Sequence, residues 1–318
     1  MKIISKTAKS DIATVYIAEI NGKHIEFVES IQPPLPKQDK WVLIISTLFG
    51  CPVGCKMCDA GSFYHGKLSK KEMLAQIDYL ISKYYDDKNI PVKKFKIQFA
   101  RMGEPSFNPA VIDLLDELPS LYNAPGLIPS ISTVAPCGNE DFFTRLLEVK
   151  NKHYRNGKFQ LQFSLHTTDE KLRDQIIPIK KYNFTEIAEY GEKFYTSGDR
   201  KITLNFALEK NYKFDVQQLK KYFDPKIFAI KITPINPTLN ATKYKLESYI
   251  KTDINDDNHR LVDKLQACGY DTLFSVGELE ENKIGSNCGQ YIKRYFDAGK
   301  RITGAYEYDL IEDGAVTL

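Results

Sequence analysis

Nothing in this chain of 318 residues is apolar for long enough to cross a bilayer: no charge-free apolar run approaches the roughly 18 residues that a spanning helix needs. The N-terminus, Met1-Lys2-Ile3-Ile4-Ser5-Lys6, lacks the apolar core of a signal peptide. Both absences point to a cytoplasmic address. The chain also lacks charge of one dominant sign, since 44 basic against 41 acidic residues leave +3. Bulk charge therefore neither demands nor excludes a nucleic-acid partner, which a local basic patch can still hold. Cysteine is scarce, with six in all and none before Cys51, and so few residues, half of them clustered, do not make a disulfide framework. There is no low-complexity tract and no internal repeat. What remains is a globular composition, 42% hydrophobic, enough for a substantial core in one large or two ordinary domains.

Three of the cysteines fall within eight residues, Cys51-Pro52-Val53-Gly54-Cys55-Lys56-Met57-Cys58, after the apolar run Trp41-Val42-Leu43-Ile44-Ile45 and before a long amphipathic segment. Thiolates this close on a loop that ends a strand make a soft-metal site. Structural zinc ordinarily takes four closed ligands from paired Cys-x-x-Cys knuckles, and no second pair lies near. Three thiolates instead leave one iron of a 4Fe-4S cluster without a protein sulfur, where electron-carrying ferredoxins supply four. An open iron can bind substrate or cofactor. The spacing favours iron–sulfur over zinc and leaves both open.

Residues 12–30 read as a hairpin: Thr14-Val15-Tyr16-Ile17-Ala18 alternates, Asn21-Gly22 is a two-residue turn signal, and His24-Ile25-Glu26-Phe27-Val28 returns. It is expected as a small lid or entry element, followed by a linker at Ile31-Gln32-Pro33-Pro34-Leu35-Pro36. Strand-like runs at 41–48, 94–100, 127–135, 159–166, 201–208 and 227–236 then alternate with helix-like segments. Ser69-Lys70-Lys71-Glu72 matches a capping box, and Asn108-Pro109 reads as a cap with proline in the first turn. Six β-α units in succession imply a parallel sheet wrapped by helices, either open and doubly wound or a barrel. Each strand run ends in a polar cluster, which favours the barrel, where strand C-termini converge on one ligand. The expected division is an N-terminal hairpin element and linker over 1–36, a main α/β body over 37–292 and a C-terminal tail over 293–318.

The polar clusters are the candidate site. In Met102-Gly103-Glu104-Pro105 the glycine permits close backbone approach and the carboxylate can accept hydrogen bonds from an amino group, although Gly-Glu-Pro alone is an ordinary turn. The hydroxyls of Ser132-Thr133 can bond a carboxylate or ribose, or simply cap a turn. Ser164-Leu165-His166 ends a buried-looking strand and continues into Leu172-Arg173-Asp174, while Asn205 and Asn236-Pro237 end the next two. A last strand-like run over 272–276 leads to Cys288-Gly289-Gln290, and Cys137 and Cys268 read as small core residues.

The cysteine triplet is the signature of the radical S-adenosylmethionine enzymes, which this chain resembles. That resemblance implies a partial (β/α)6 barrel, a 4Fe-4S cluster on Cys51, Cys55 and Cys58, and S-adenosyl-L-methionine chelated at the open iron. It further implies reductive cleavage to a 5'-deoxyadenosyl radical, fed by an electron donor such as flavodoxin or ferredoxin. The order of Glu26, the triplet, Met102-Gly103-Glu104-Pro105, Ser132-Thr133, Ser164-Leu165-His166, Pro234-Ile235-Asn236-Pro237 and Cys288-Gly289-Gln290 narrows the likeness. It is similar to the dual-specificity adenine methyltransferases of 23S ribosomal RNA and transfer RNA and their antibiotic-resistance relatives. In that family a C-terminal cysteine is methylated first, and its methyl carbon is then carried to an adenine ring carbon. The match implies Cys288 as methyl carrier and Glu26 as a base. It implies Gly103, Glu104, Ser132, Ser164, Leu165, His166 and Asn236 as contacts to S-adenosylmethionine.

Several positions depart from the family pattern. Met57 stands where many members carry an aromatic residue, and Arg101 replaces a small residue. Ile44 occupies the place, seven residues before Cys51, of a second cysteine that releases the product. Only 25 residues precede Glu26, so the family's N-terminal RNA-binding domain is expected to be absent. An RNA partner would then rest on Lys67, Lys70 and Lys71 beside the cysteines, on Lys150, Lys152, Arg155 and Lys158 on a loop, and on Tyr64 and Tyr291 for stacking. Such charge runs also occur as plain solvated surface. Two alternatives stand beside RNA methylation: a radical enzyme on the same scaffold acting on a small molecule or peptide without a methyl relay, and a zinc-stabilised, non-catalytic binding module.

Overall fold

The computed structural model describes residues 1–9, 11–31, 34–250, 256–275, 279–286, 292, 307–309 and 311–312. Cys288 and Tyr291, and with them the expected methyl carrier, lie outside the described residues. Strands β1 (Lys2–Lys9), β2 (Ala13–Ile20) and β3 (Lys23–Ile31) form an antiparallel meander. Its tight turn uses Asn21 and Gly22, both at positive φ, as the right-handed twist of a two-residue hairpin requires. β3 then pairs antiparallel with β4 (Lys40–Ile45), setting Val28 against Ile44 and Ile31 against Trp41. The expected lid is therefore the antiparallel end of the main sheet. Val15, Ile17, Ile25 and Phe27 are fully buried, and a solvated flap has nothing to cover such residues with.

The hairpin β5 (Leu48–Gly50) and β6 (Tyr64–Lys67) encloses the cysteines, and α1 (Lys70–Ser82) starts at the expected box of Ser69 and Glu72. There follow β7 (Lys94–Phe99), α2 (Ala110–Leu121), β8 (Leu127–Thr133), α3 (Glu140–His153), β9 (Gln160–Ser164), α4 (Glu170–Ile176) and α5 (Phe184–Phe194). β10 (Ile202–Ala207), α6 (Val216–Tyr222), β11 (Phe228–Thr233), α7 (Leu239–Lys243), α8 (Asp256–Ala267), β12 (Thr272–Phe274), α9 (Leu279–Ile284) and β13 (Ile311–Glu312) complete the order. Asn108 caps the start of α2 as expected, its Oδ1 accepting from the Ala110 amide at 3.2 Å, with the helical Pro109 in the first turn. The Asn108 side-chain amide also donates to the carbonyls of Thr47 at 2.8 Å and Leu68 at 2.7 Å, bracing the hairpin that carries the cysteines.

The strands make one sheet in the order β12-β11-β10-β9-β8-β7-β4-β3-β2-β1-β13, with every pair from β4 through β12 parallel. The six expected runs are β4 and β7 to β11. β13 pairs with β1 and so ties Ile311 and Glu312 of the tail to the far edge. The alternation of a strand puts Trp41, Leu43, Ile45, Phe95, Ile97, Phe99, Leu204 and Phe206 on one face, all fully buried under the helices. The other face carries polar side chains and holds the site. Cys137 is exposed and Cys268 is half-buried at the core's margin, so neither is the small core residue expected. No helix among the described residues is long and apolar enough to cross a membrane.

Candidate cluster and cofactor site

The loop from Cys51 to Cys58 leaves the end of β5 and folds back on itself. A Cβ at Gly61 would sit 2.7 Å from the Cα of Gly54, so two glycines are what allow the loop to cross itself. The Cys58 amide donates to the Cys55 carbonyl at 3.0 Å, closing the turn between the last two thiols. Val53 packs against Val134, Ile176 and Ile177, and Cys51, Cys55 and Met57 lie against that apolar group. Both ends of the loop are tied down. The Lys56 amide donates to Ile176 O at 3.0 Å, and the fully buried Asp59 carboxylate accepts from the amides of Leu239 at 3.0 Å and Asn240 at 2.8 Å. Asn240 Nδ2 and Thr238 Oγ1 in turn donate to the carbonyls of Cys58 and Met57.

Burial pushes the Cys51 thiol up to about 11 and the Cys55 thiol well up, with Cys58 and Cys51 adding to the effect at Cys55. Thiols so reluctant to ionise are inert as nucleophiles and become thiolates when a metal takes the proton's place. Arg173, only 2% exposed, is the nearby cation: its Nη2 donates to Val134 O at 3.0 Å, and the charge of Cys55 acts on it. Three soft sulfurs, an apolar wall and a buried guanidinium fit a negatively charged iron–sulfur cluster. Among the described residues no three His, Cys, Asp or Glu side chains, Cys51, Cys55 and Cys58 included, gather closely enough to hold a single ion.

Gly103 and Glu104 follow β7 on the same side of the sheet. Gly103 has φ 101° and a Cβ there would meet the Leu48 side chain at 2.5 Å, so only glycine fits. The buried Glu104 carboxylate accepts from the Ser106 amide and hydroxyl, the Thr133 hydroxyl and the Val134 amide. Burial raises its pKa and these donors oppose the rise. Among the described residues Oε2 takes only the Val134 bond at 2.8 Å, which leaves a lone pair for a further donor. Thr133 rather than Ser132 braces Glu104, whereas Ser132 Oγ accepts from Gln162 Nε2 at 3.2 Å on the polar face. His166 sits in the left-handed region at φ 69°, its Nδ1 accepting from the Ala207 amide at 3.1 Å. Burial, then Arg173, pushes it down to about 4, so it is a neutral ring with a fixed tautomer. Leu165 is buried in the core, and only its main chain can reach a ligand. Ser164 ends β9 beside Asn205, and Asn236 lies on the loop that runs from β11 to the Asp59 clamp.

Glu26 is elsewhere on this face and is not solitary. Arg101 Nη2 stands 2.6 Å from its Oε1, while Nη1 and Nη2 also donate to the carbonyls of Ser286 and Gly285. The Ile292 amide donates to Glu26 Oε2 at 3.2 Å. A family departure and a candidate base are thus one buried ion pair, bonded to the main chain of Gly285, Ser286 and Ile292. Sequence reasoning missed this pairing, as it missed Asp59, although each adjoins a residue it had singled out; the Thr133 hydroxyl does bond a carboxylate, that of Glu104.

The basic residues are less free than expected. Lys150 and Lys152 belong to α3, and Lys150 is buried against Asp199. Lys152 pairs with Asp116 and Lys70 with Glu117. Tyr64, His65 and Lys67 remain exposed on β6, next to the cysteine loop.

No family model matches the chain. It is 27% identical to the dual-specificity RNA methyltransferase RlmN of Francisella tularensis subsp. holarctica (strain FTNF002-00 / FTA), over 94% of this chain and 78% of that protein. It is 27% identical to the protein of the same name from Nautilia profundicola, over 89% and 82% respectively. In fold it is similar to a radical SAM methyltransferase from Sphaerobacter thermophilus, with a TM-score of 0.64 at 19% identity, covering 87% of this chain and 78% of that one. The resemblance carried by the order of motifs is borne out, and so is the α/β fold with its parallel sheet. The expectation of an enzyme agrees with the methyltransferase name that both relatives carry.

Proposed function

We propose that this chain is a cytoplasmic radical S-adenosylmethionine methyltransferase that holds a 4Fe-4S cluster on Cys51, Cys55 and Cys58 and methylates an RNA adenine, with Cys288 as methyl carrier. The observation that carries the reading is the clamped cysteine loop beside Glu104, His166 and Arg173 in a chain similar to RNA methyltransferases over 94% of its length. When bound and reduced, the cluster would supply the electron that cleaves S-adenosylmethionine to a 5'-deoxyadenosyl radical.

The chain's own residues do the rest. Gly103 gives a ligand close backbone approach, and the spare lone pair of Glu104 takes an ammonium donor. Ser132, Ser164, the Leu165 main chain, neutral His166 and Asn236 line the strand ends around it. Val53, Val134 and Ile176 keep water from the sulfurs, and Arg173 offsets negative charge there. Glu26 remains the base candidate; to accept a proton it must exchange its contact with Arg101, and until then it holds the Ile292 amide. The exposed Tyr64, His65 and Lys67 give RNA a stacking ring and a cation beside the site.

The test is anaerobic reconstitution, incubation with S-adenosylmethionine, a reducing partner such as flavodoxin and RNA, and mass spectrometry of the peptide carrying Cys288. A methyl group on Cys288 and about four iron and four sulfide per chain are expected. Loss of iron and of 5'-deoxyadenosine in Cys55→Ala completes the expectation. An unmodified Cys288 with 5'-deoxyadenosine still formed would move the substrate search to small molecules.

A further inference from the structure

The polar face of the sheet carries more charge than the proposed chemistry uses. Strand alternation buries Phe95, Ile97 and Phe99 in the core and turns Lys94, Lys96 and Gln98 to the opposite side. By register Lys94 lies beside Lys40, Gln98 beside Ser130, Ser130 beside Gln160, and Ser164 beside Asn205, which lies beside Lys231. On a flat sheet Lys96 of β7 and Lys231 of β11 would be four strand spacings, about 19 Å, apart. Yet Lys231 is the first of the charges acting on Lys96, ahead of Lys94, Lys40 and Arg200. The loop that follows β5 also meets the segment that follows β11, where the amides of Leu239 and Asn240 donate to Asp59, so the sheet is curled and Lys96 and Lys231 share its concave side.

Such a face is costly to fold. Burial, reinforced by these four cations, pushes Lys96 down to about 7, and the groups weighing most on it include no carboxylate; Glu281 acts on Lys40 instead. Asn205, only 9% exposed, has its Oδ1 buried without a hydrogen-bond partner among the described residues. A face kept for stability alone would carry apolar residues there, since a buried acceptor without a partner and a partly buried cation without a counter-charge both oppose folding. Their survival on one concave face, below the strand ends that carry Gly103, Glu104 and His166, points to a ligand.

We infer that the concave face is a subsite for an anionic substrate group, a phosphate or carboxylate bound by Lys96, with Asn205 Oδ1 accepting a hydrogen bond from the same molecule. The inference deepens the proposed function by naming a chemistry of the substrate, and it rests on that reading for the reaction alone. An anion there restores the charged form of Lys96 and screens it from Lys231, and the amide selects a ligand with a donor beside its negative group.

The test is calorimetric titration of the reconstituted full chain at pH 7 and low ionic strength with adenosine 5'-monophosphate, inorganic phosphate, succinate and uncharged adenosine. At least one anion is expected to bind at least tenfold more tightly than adenosine. The phosphate and succinate arms tell which acid group the site takes. Lys96→Met should weaken that binding at least tenfold while raising the melting temperature of the ligand-free chain, and Lys96→Arg should keep most of the affinity. Equal affinity in Lys96→Met, or no preference for an anion over adenosine, would overturn the inference. Wild-type protein from the same preparation is assayed for 5'-deoxyadenosine, so a cluster that fails and a subsite that fails give different results.

Discussion

The two faces of the one sheet follow opposite rules. On the helix-covered face Trp41, Leu43, Phe95, Ile97, Leu204 and Phe206 are all fully buried and share one continuous core. On the concave face lysines, glutamines, serines and asparagines take the alternate positions of the same strands. There some groups are ion-paired, as Glu26 is with Arg101, while Asn205 Oδ1 has no hydrogen-bond partner among the described residues. One face supplies stability, and the other spends part of it to keep polar groups in a dry place.

Three substitutions sharpen that contrast. Arg101→Met has the largest expected effect, about 3–5 kcal/mol of lost stability, because it removes the guanidinium beside a fully buried carboxylate. A denaturant midpoint measures it, and adding Glu26→Gln should recover most of the loss; a neutral single variant would show that the pair contributes nothing net. On the apolar face Leu204→Ala should cost about 2–5 kcal/mol, whereas Gln98→Ala on the concave side should stay within about 0.5 kcal/mol. Equal costs in those two variants would erase the distinction between the faces.

The contrast also predicts a pH dependence. Lys96 has its folded-state pKa depressed from 10.5 to about 7, so the unfolded chain binds more protons between those values. Stability is therefore greatest above pH 10.5 and is lost as pH falls toward 7, by at most about 1.4 kcal/mol per unit from this group. Lys96→Met should be free of that loss. Its advantage in melting temperature over wild type should widen from pH 10 down to pH 7, and a constant gap would mean that Lys96 is solvated.

Much of the site was legible because it is local. A Cys-x-x-x-Cys-x-x-Cys run states its own spacing, and Gly103-Glu104 follows a strand whose alternation is plain. The capping box at Ser69 and Glu72 formed as its residues dictate. Less legible were matters of partnership. Lys150 looked like a solvated charge and is buried on Asp199, and Asn108, read as a cap, also braces Thr47 and Leu68. The antiparallel hairpin read correctly as a hairpin, but where it docked depended on β4 offering an edge.

By itself, then, the sequence determined what short-range stereochemistry controls: the succession of β-α units, the cysteine loop, and the alternation that separates apolar from polar side chains along each strand. Only the tertiary structure decided which distant groups meet. Arg101 reaches Glu26 across 75 positions, Asp59 reaches Asn240 across 181, and Lys96 faces Lys231 because the sheet curls. Such meetings are set by register, twist and the burial of the opposite face, which act on the whole sheet at once, and no window of sequence contains them.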